Sequence, residues 1–99
     1  MPIDSPVPSI KFKGTKFCFT GKFSFGTRRD CEAATSEIGG ECQSRITNDT
    51  DYLVIGIYIA EAWIHTSSGR KIERAVKMKE EGKKIKIIGE EDWVKYIKE

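Results

Sequence analysis

Thr50-Asp51-Tyr52-Leu53-Val54-Ile55-Gly56 decides the fold class of this chain. Four apolar residues follow one another without alternation, and a glycine closes them. A strand that faces water on one side alternates polar and apolar residues. An unbroken apolar run of this length suits a strand buried on both faces, as in a parallel sheet packed between helices. The preceding Asn48-Asp49-Thr50-Asp51 is turn chemistry. Phe17-Cys18-Phe19-Thr20, ended by Gly21, has the same buried character. Ile85-Lys86-Ile87-Ile88 predicts a further strand, and the weakly alternating Glu41 to Ile46 a short one.

Between these runs the apolar period lengthens. After Thr27-Arg28-Arg29-Asp30, the spacing of Cys31, Ala34 and Ile38 predicts a first helix. Gly39-Gly40 stops it, with Gly39 as the left-handed cap. A second helix is predicted from Ser68 to about Glu81, with Ile72, Ala75, Val76 and Lys79 on one stripe. Ser67 or Ser68 would cap its start and Gly82 its end. Glu90 to Ile97 reads as a third helix with Trp93, Val94 and Ile97 inward. The order β-α-β-β-α-β-α implies an α/β fold with a mostly parallel sheet covered on both faces. Residues 1–10, with Pro2, Pro6 and Pro8, read as a flexible extended tail or linker, and residues 11–99 as the domain.

The chain has 99 residues, room for one domain and a modest core. Its 38% apolar and 32% charged content fits a soluble globular protein. The N-terminus, Met1-Pro2-Ile3-Asp4-Ser5, lacks the basic-then-apolar pattern of a signal peptide. An intracellular protein is expected, cytoplasmic and nucleoid-associated in a bacterium, nuclear in a eukaryote. Cys18, Cys31 and Cys42 are odd in number and widely spaced, which argues against disulfides, and no Cys-x-x-Cys pair points to zinc. Each reads as a small buried hydrophobe. His65 is the only histidine, so Thr20, Ser67, Ser68 and the cysteines lack a base that the sequence places beside them. An enzyme is the least favoured class, and no cofactor or metal is implied.

The formal net charge of +2 conceals a segregation. Residues 1–29 carry six Lys or Arg against one Asp, and residues 70–86 eight against three acidic residues. Residues 30–69 carry one basic residue against seven acidic. Should the fold bring the two basic segments together, the domain has a basic face suited to an anionic partner. Two helix starts add to this. The N-terminal end of a helix is partially positive and favours acidic residues. The third helix obeys with Glu90-Glu91-Asp92, but the first opens with Arg28-Arg29 and the second with Arg70-Lys71. Such cations are disfavoured unless an anion sits between the two helix starts. Those four cations, the Thr20 hydroxyl and a close backbone approach at Gly21 would make a phosphate cradle. Read structurally instead, they are solvated charges offset by Asp30 and Glu73.

These residues resemble a known family. Phe17-Cys18-Phe19-Thr20-Gly21 looks like the opening strand and Thr-Gly turn of BRCT domains, and Gly39-Gly40 matches the paired glycines after their first helix. Thr50 to Gly56 resembles the family's third-strand signature, and Trp93 falls where its buried aromatic sits in the last helix. The resemblance covers roughly residues 11–97 and is nearest to BRCT domains of bacterial NAD-dependent DNA ligases, of the replication factor C large subunit and of polymerase III epsilon-like exonuclease proteins. It implies a four-stranded parallel sheet of order 2-1-3-4, with helices 1 and 3 on one face and helix 2 on the other. It also implies a phosphate pocket at Thr20, Gly21, Arg28 and Lys71, with Arg29 and Arg70 as supporting cations.

The function implied is a non-catalytic module binding DNA, at 5′-phosphorylated ends or backbone phosphate, in replication or repair. The alternative is a protein-interaction module that binds a phosphoprotein or a repair partner. Residues 57–69 are longer and more aromatic than the corresponding link in relatives. Ile57, Tyr58, Ile59, Trp63 and Ile64 either pack on the domain's own core, which is favoured, or form a homodimer interface through residues 57–65, or stack on bases at a DNA end.

Overall fold

The computed structural model describes residues 3–58 and 67–97. Four strands, β1 (Lys16–Thr20), β2 (Glu41–Gln43), β3 (Tyr52–Ile55) and β4 (Lys86–Gly89), alternate with α1 (Arg28–Glu37), α2 (Ser67–Glu80) and α3 (Glu90–Ile97). The strands form one parallel sheet of order β2-β1-β3-β4. This is the topology that the resemblance to BRCT domains implied.

Alternation along the strands shows why they read as unbroken apolar runs. Phe17, Phe19, Tyr52, Val54 and Ile88 join Cys31 of α1 and Trp93 of α3 in one buried cluster. Cys18, Leu53, Ile55 and Ile87 join Ile72, Ala75 and Met78 of α2 in the other. Successive side chains point to opposite faces, and a layer of helices covers each face. Buried surroundings also raise the thiols. Burial, reinforced by the Glu90 carboxylate, pushes Cys31 up to about 12, so it stays a protonated core group.

Several expectations shift by local accounting. β2 ends at Gln43 rather than Ile46, because Ile46 turns into the α2-side cluster, 4% exposed. The Gln43 carboxamide meanwhile accepts from the Thr50 hydroxyl at 2.6 Å and donates to the Thr47 hydroxyl at 3.3 Å. β4 runs one residue later than expected, through Gly89. Ile38 was expected inward but is the C-cap of α1 and is 43% exposed. Thr35 takes the core position instead. Its hydroxyl donates to the Cys31 carbonyl at 2.9 Å and accepts from Trp93 Nε1 at 3.0 Å, so no buried polar group is stranded. Gly39 adopts φ +99°, the expected left-handed cap.

The N-terminal segment is attached to the domain along residues 3–12, where a flexible tail was expected over residues 1–10. β4 is an edge strand with unsatisfied backbone groups, and Asp4 serves them. Its N–H donates to the Ile87 carbonyl and its carboxylate accepts from Ile87 N–H, both at 2.9 Å, while Lys79 pairs with it at 2.6 Å. Further along, Lys11 N–H donates to the Tyr52 hydroxyl, Tyr52 donates to the Ser9 carbonyl, and Ile10 N–H donates to the Tyr96 hydroxyl. Phe12 stacks on Phe17 with centroids 5.0 Å apart. Residues 1–2 and 98–99 lie outside the described residues, as do 59–66 with His65 and most of the segment weighed as a lid, dimer interface or stacking surface.

Trp93 is 0% exposed and meets Phe19, Phe23 and Phe25 edge-on, with centroids 5.1 to 6.4 Å apart. Trp93→Ala is therefore expected to cost about 3–5 kcal/mol in chemical denaturation. Trp93→Phe should lose less, keeping an aromatic ring but not the bond to Thr35. An unchanged denaturation midpoint in Trp93→Ala would contradict this packing.

Candidate functional site

A parallel sheet places the carboxyl ends of all its strands at one edge, and the helices that follow begin there too. Thr20 ends β1 with 3% exposure and shares the α2-side face with Cys18. Gly21 then turns the chain with φ +89°, a conformation that glycine adopts without strain. The ends of β1 and β3 are drawn close. Gly56 N–H donates to the Thr20 carbonyl at 2.9 Å, and Tyr58 N–H donates to the Lys22 carbonyl at 3.0 Å. A Cβ on Gly56 would lie 2.1 Å from the Lys22 carbonyl oxygen, so this approach requires glycine.

Glu90, the first residue of α3, joins these loops. Its carboxylate is buried, at 5% exposure, and accepts three backbone N–H groups: Ser24 at 2.9 Å, Phe25 at 2.7 Å and Ile57 at 3.0 Å. A buried carboxylate is tolerated when hydrogen-bonded in this way and placed at a helix N-terminus. It ties the β1–α1 loop to the residues after β3.

The candidate cations occupy different settings. Lys71 is half-buried and its Nζ donates to the Phe19 carbonyl at 3.2 Å, which carries the ammonium to the end of β1. An ammonium has three donors, and among the described residues this is the one bond Lys71 Nζ makes. Arg28 is exposed at the first position of α1. Burial raises the Cys18 thiol, and the positive charges of Lys71 and then Arg28 oppose that rise. Both cations therefore act on one buried group of β1. Arg29 and Arg70 are exposed, and neither forms an ion pair among the described residues. At the end of β1, Gly21, Lys22, Gly26, Thr27, Arg28 and Tyr58 help line an open cleft of about 520 Å³.

Both basic helix starts differ from the expected arrangement. α1 opens with Arg28-Arg29 as expected, but its end is already closed by a capping box. Thr27 Oγ1 accepts from Asp30 N–H at 3.1 Å and the Asp30 carboxylate accepts from Thr27 N–H at 2.9 Å. Asp30 thus meets part of the dipole. α2 opens at Ser67, three residues before Arg70. Arg70 and Lys71 therefore stand beyond the first three amides rather than at the opening, and Lys71 reaches the site by its long side chain. Ser67 and Ser68 lie within the first turn, and their side chains are outside the described residues. The basic segments are also divided. Lys22, Arg28, Arg29, Arg70 and Lys71 belong to the elements at this edge, whereas Lys16 and Lys86 open β1 and β4 at the other, where Lys84 pairs with Asp51 at 3.3 Å.

Glu90 and Gly56 are the site features that sequence reasoning did not assign, whereas Tyr58 was weighed with residues 57–65 for core packing, dimer contact or base stacking. Glu90 looked like an ordinary helix-start acid, and its partners lie 33 to 66 residues away. Gly56 looked like a strand terminator. Among the described residues, no three His, Cys, Asp or Glu side chains gather as a metal site.

An open parallel sheet with cations gathered where strands end and helices begin is the arrangement of an α/β ligand-binding module. The family can be stated as well: the chain belongs to the BRCT (BRCA1 C Terminus) domain family, whose model matches residues 7–97. It is 30% identical over 81 residues to a DNA ligase of Orientia tsutsugamushi (strain Boryong). It is 29% identical over 89 residues to a DNA ligase of Thermosipho africanus (strain TCF52B), and 28% over 95 residues to one of Syntrophus aciditrophicus (strain SB). These matches cover 82, 90 and 95% of this chain but 10, 11 and 12% of the ligases. The chain thus spans about a tenth of the length of the curated relatives it matches.

Gly56→Ala should destabilise the domain by about 1–3 kcal/mol, since backbone must yield to the new methyl group. Thermal denaturation checks this. A melting temperature equal to that of the parent would mean that the two loops do not approach as described.

Proposed function

We propose that this domain is a non-catalytic phosphate-recognition module that binds DNA at a 5′-phosphorylated end or along the backbone. The observation that carries this reading is the half-buried Lys71 ammonium, bonded to the Phe19 carbonyl one residue before the Thr20-Gly21 turn, its one bond among the described residues. Arg28 supplies a second cation, and Arg29 and Arg70 add positive potential around it. Thr20 and Gly21 contribute a hydroxyl and a close backbone approach. A terminal phosphate bears more charge and more free oxygens than an internal diester, so a compact pocket of this kind favours ends. Similarity to a segment of DNA ligases supports a place in replication or repair inside the cell, where the domain would deliver binding and leave chemistry to other parts of a larger protein.

A second reading, docking of a partner protein, has its own observation. Ile57 is 47% exposed and lines a shallow depression with Phe25, Val94 and Glu91. Exposed apolar surface of this sort commonly marks a protein contact.

Binding to a duplex with and without a 5′-phosphate, with phosphopeptides in parallel, tests both readings. Arg28→Ala and Lys71→Ala are each expected to weaken binding to the phosphorylated end by about 1–3 kcal/mol, the loss of one charge-assisted hydrogen bond. Both variants should remain folded, since neither side chain belongs to the core. Unaltered affinity in the double variant would overturn the pocket.

A further inference from the structure

Most described aromatic side chains of this domain are buried or half-buried, and Tyr58 and Tyr96 are the exposed ones. Phe12, Phe17, Phe19, Phe23, Tyr52 and Trp93 belong to one buried cluster of stacked and edge-on rings. Tyr58 is 63% exposed, the most exposed large apolar side chain among the described residues. It has no ring contact with the described aromatics. Yet it is not at a loose loop tip, because its N–H is fixed to the Lys22 carbonyl at 3.0 Å and the preceding Ile57 N–H to Glu90 at 3.0 Å.

The position of that ring gives it a use. Tyr58 lines the cleft of about 520 Å³ whose other walls include Gly21, Gly26 and Arg28. This volume lies within the range of about 300–1,000 Å³ seen for small-ligand sites. Asp30, also at the cleft, has its carboxylate engaged with Thr27 N–H, so it is turned to the helix cap. The cleft therefore places a cation and a glycine turn next to an uncommitted aromatic ring. A nucleotide has that same pairing, an anionic group joined to a flat apolar one.

We propose that Tyr58 is a stacking platform for the terminal base of a DNA strand whose 5′-phosphate lies in the adjoining cradle. The inference rests on the phosphate reading of Thr20, Gly21, Arg28 and Lys71 and adds to it a specificity-determining residue. With the platform, the domain recognises phosphate and base together, hence the end of a nucleic acid strand rather than any phosphate. Base–aromatic stacking is indifferent to sequence, because every base has a π-face.

The test compares the parent protein with Tyr58→Ala, Tyr58→Phe and Tyr58→Trp. The probes are 5′-phosphorylated duplexes whose terminal nucleotide either carries its base or is abasic. Tyr58→Ala is expected to bind the base-bearing end about 5- to 150-fold more weakly, the range for one lost stacked base. Its affinity for the abasic end should match that of the parent. Tyr58→Phe and Tyr58→Trp should restore binding, and 2-aminopurine at the terminus should be quenched by every aromatic version and not by Tyr58→Ala. Parental affinity of Tyr58→Ala for the base-bearing end, or an equal loss on the abasic end, would overturn the platform while the parent still prefers phosphorylated ends. A parent indifferent to the 5′-phosphate that still quenches through Tyr58 would refute the phosphate site and leave the platform standing. Indifference without quenching would overturn both.

Discussion

The carboxylate of Glu90 is the constraint on which the working edge of this domain depends. A single buried anion accepts the amides of Ser24, Phe25 and Ile57 and so fixes two loops that the chain separates by more than thirty residues. Those loops carry Gly21, the approach to Arg28, and Tyr58. Glu90 itself is anchored by the strand before it and the helix after it, at the junction of β4 and α3. An ion in this position is stable because oriented donors replace its lost water and the helix start adds a favourable field. Its charge is felt deeper in the core, where it helps to raise the Cys31 thiol.

Around that junction the fold obeys a strict division of labour. Side chains alternate along each strand between a cluster shared with α1 and α3 and a cluster shared with α2. Among the described residues, no fully buried side-chain nitrogen or oxygen lacks a hydrogen-bond partner. Thr50, at 0% exposure, accepts from Thr47 N–H at 2.8 Å and donates to Gln43, which locks the turn leading into β3. Asp51 next to it accepts from Lys16 N–H at 2.7 Å, holding the start of β1. The Thr50-Asp51 pair ahead of Tyr52 is thus a device for aligning neighbouring strands, and the sheet delivers their ends to one edge.

Much of the architecture was legible in the sequence because it rests on local signals. The unbroken apolar runs at Phe17–Phe19 and Tyr52–Ile55 reveal two-sided burial, Gly39 marks the end of α1, and the spacing of Trp93 and Ile97 gives the inward side of α3. Local signals mislead where side-chain bonds intervene. Ile38 obeys the helical period yet lies past the helix end, while Thr35, one turn after Cys31 on the same face, is a polar residue whose burial depends on its bonds to Cys31 and to the distant Trp93. Asp4 was hidden among prolines, and its value lies in an edge strand more than eighty residues away. In the candidate site, Thr20, Gly21 and Arg28 were readable as residue types at element boundaries, and Lys71 as a cation early in α2. Glu90 and Gly56 were not, since their roles are distances between loops. α2 opens within one residue of the expected Ser68, which leaves Arg70 and Lys71 inside its first two turns rather than at its opening.

Native-state amide hydrogen exchange on Glu90→Gln, read beside binding to a 5′-phosphorylated duplex, tests most directly whether this one carboxylate holds the edge together. The amides of Ser24, Phe25 and Ile57 should lose protection together, those of β3 should keep theirs, and affinity for the phosphorylated end should fall. Protected loop amides, or released amides with undiminished affinity, would contradict the account.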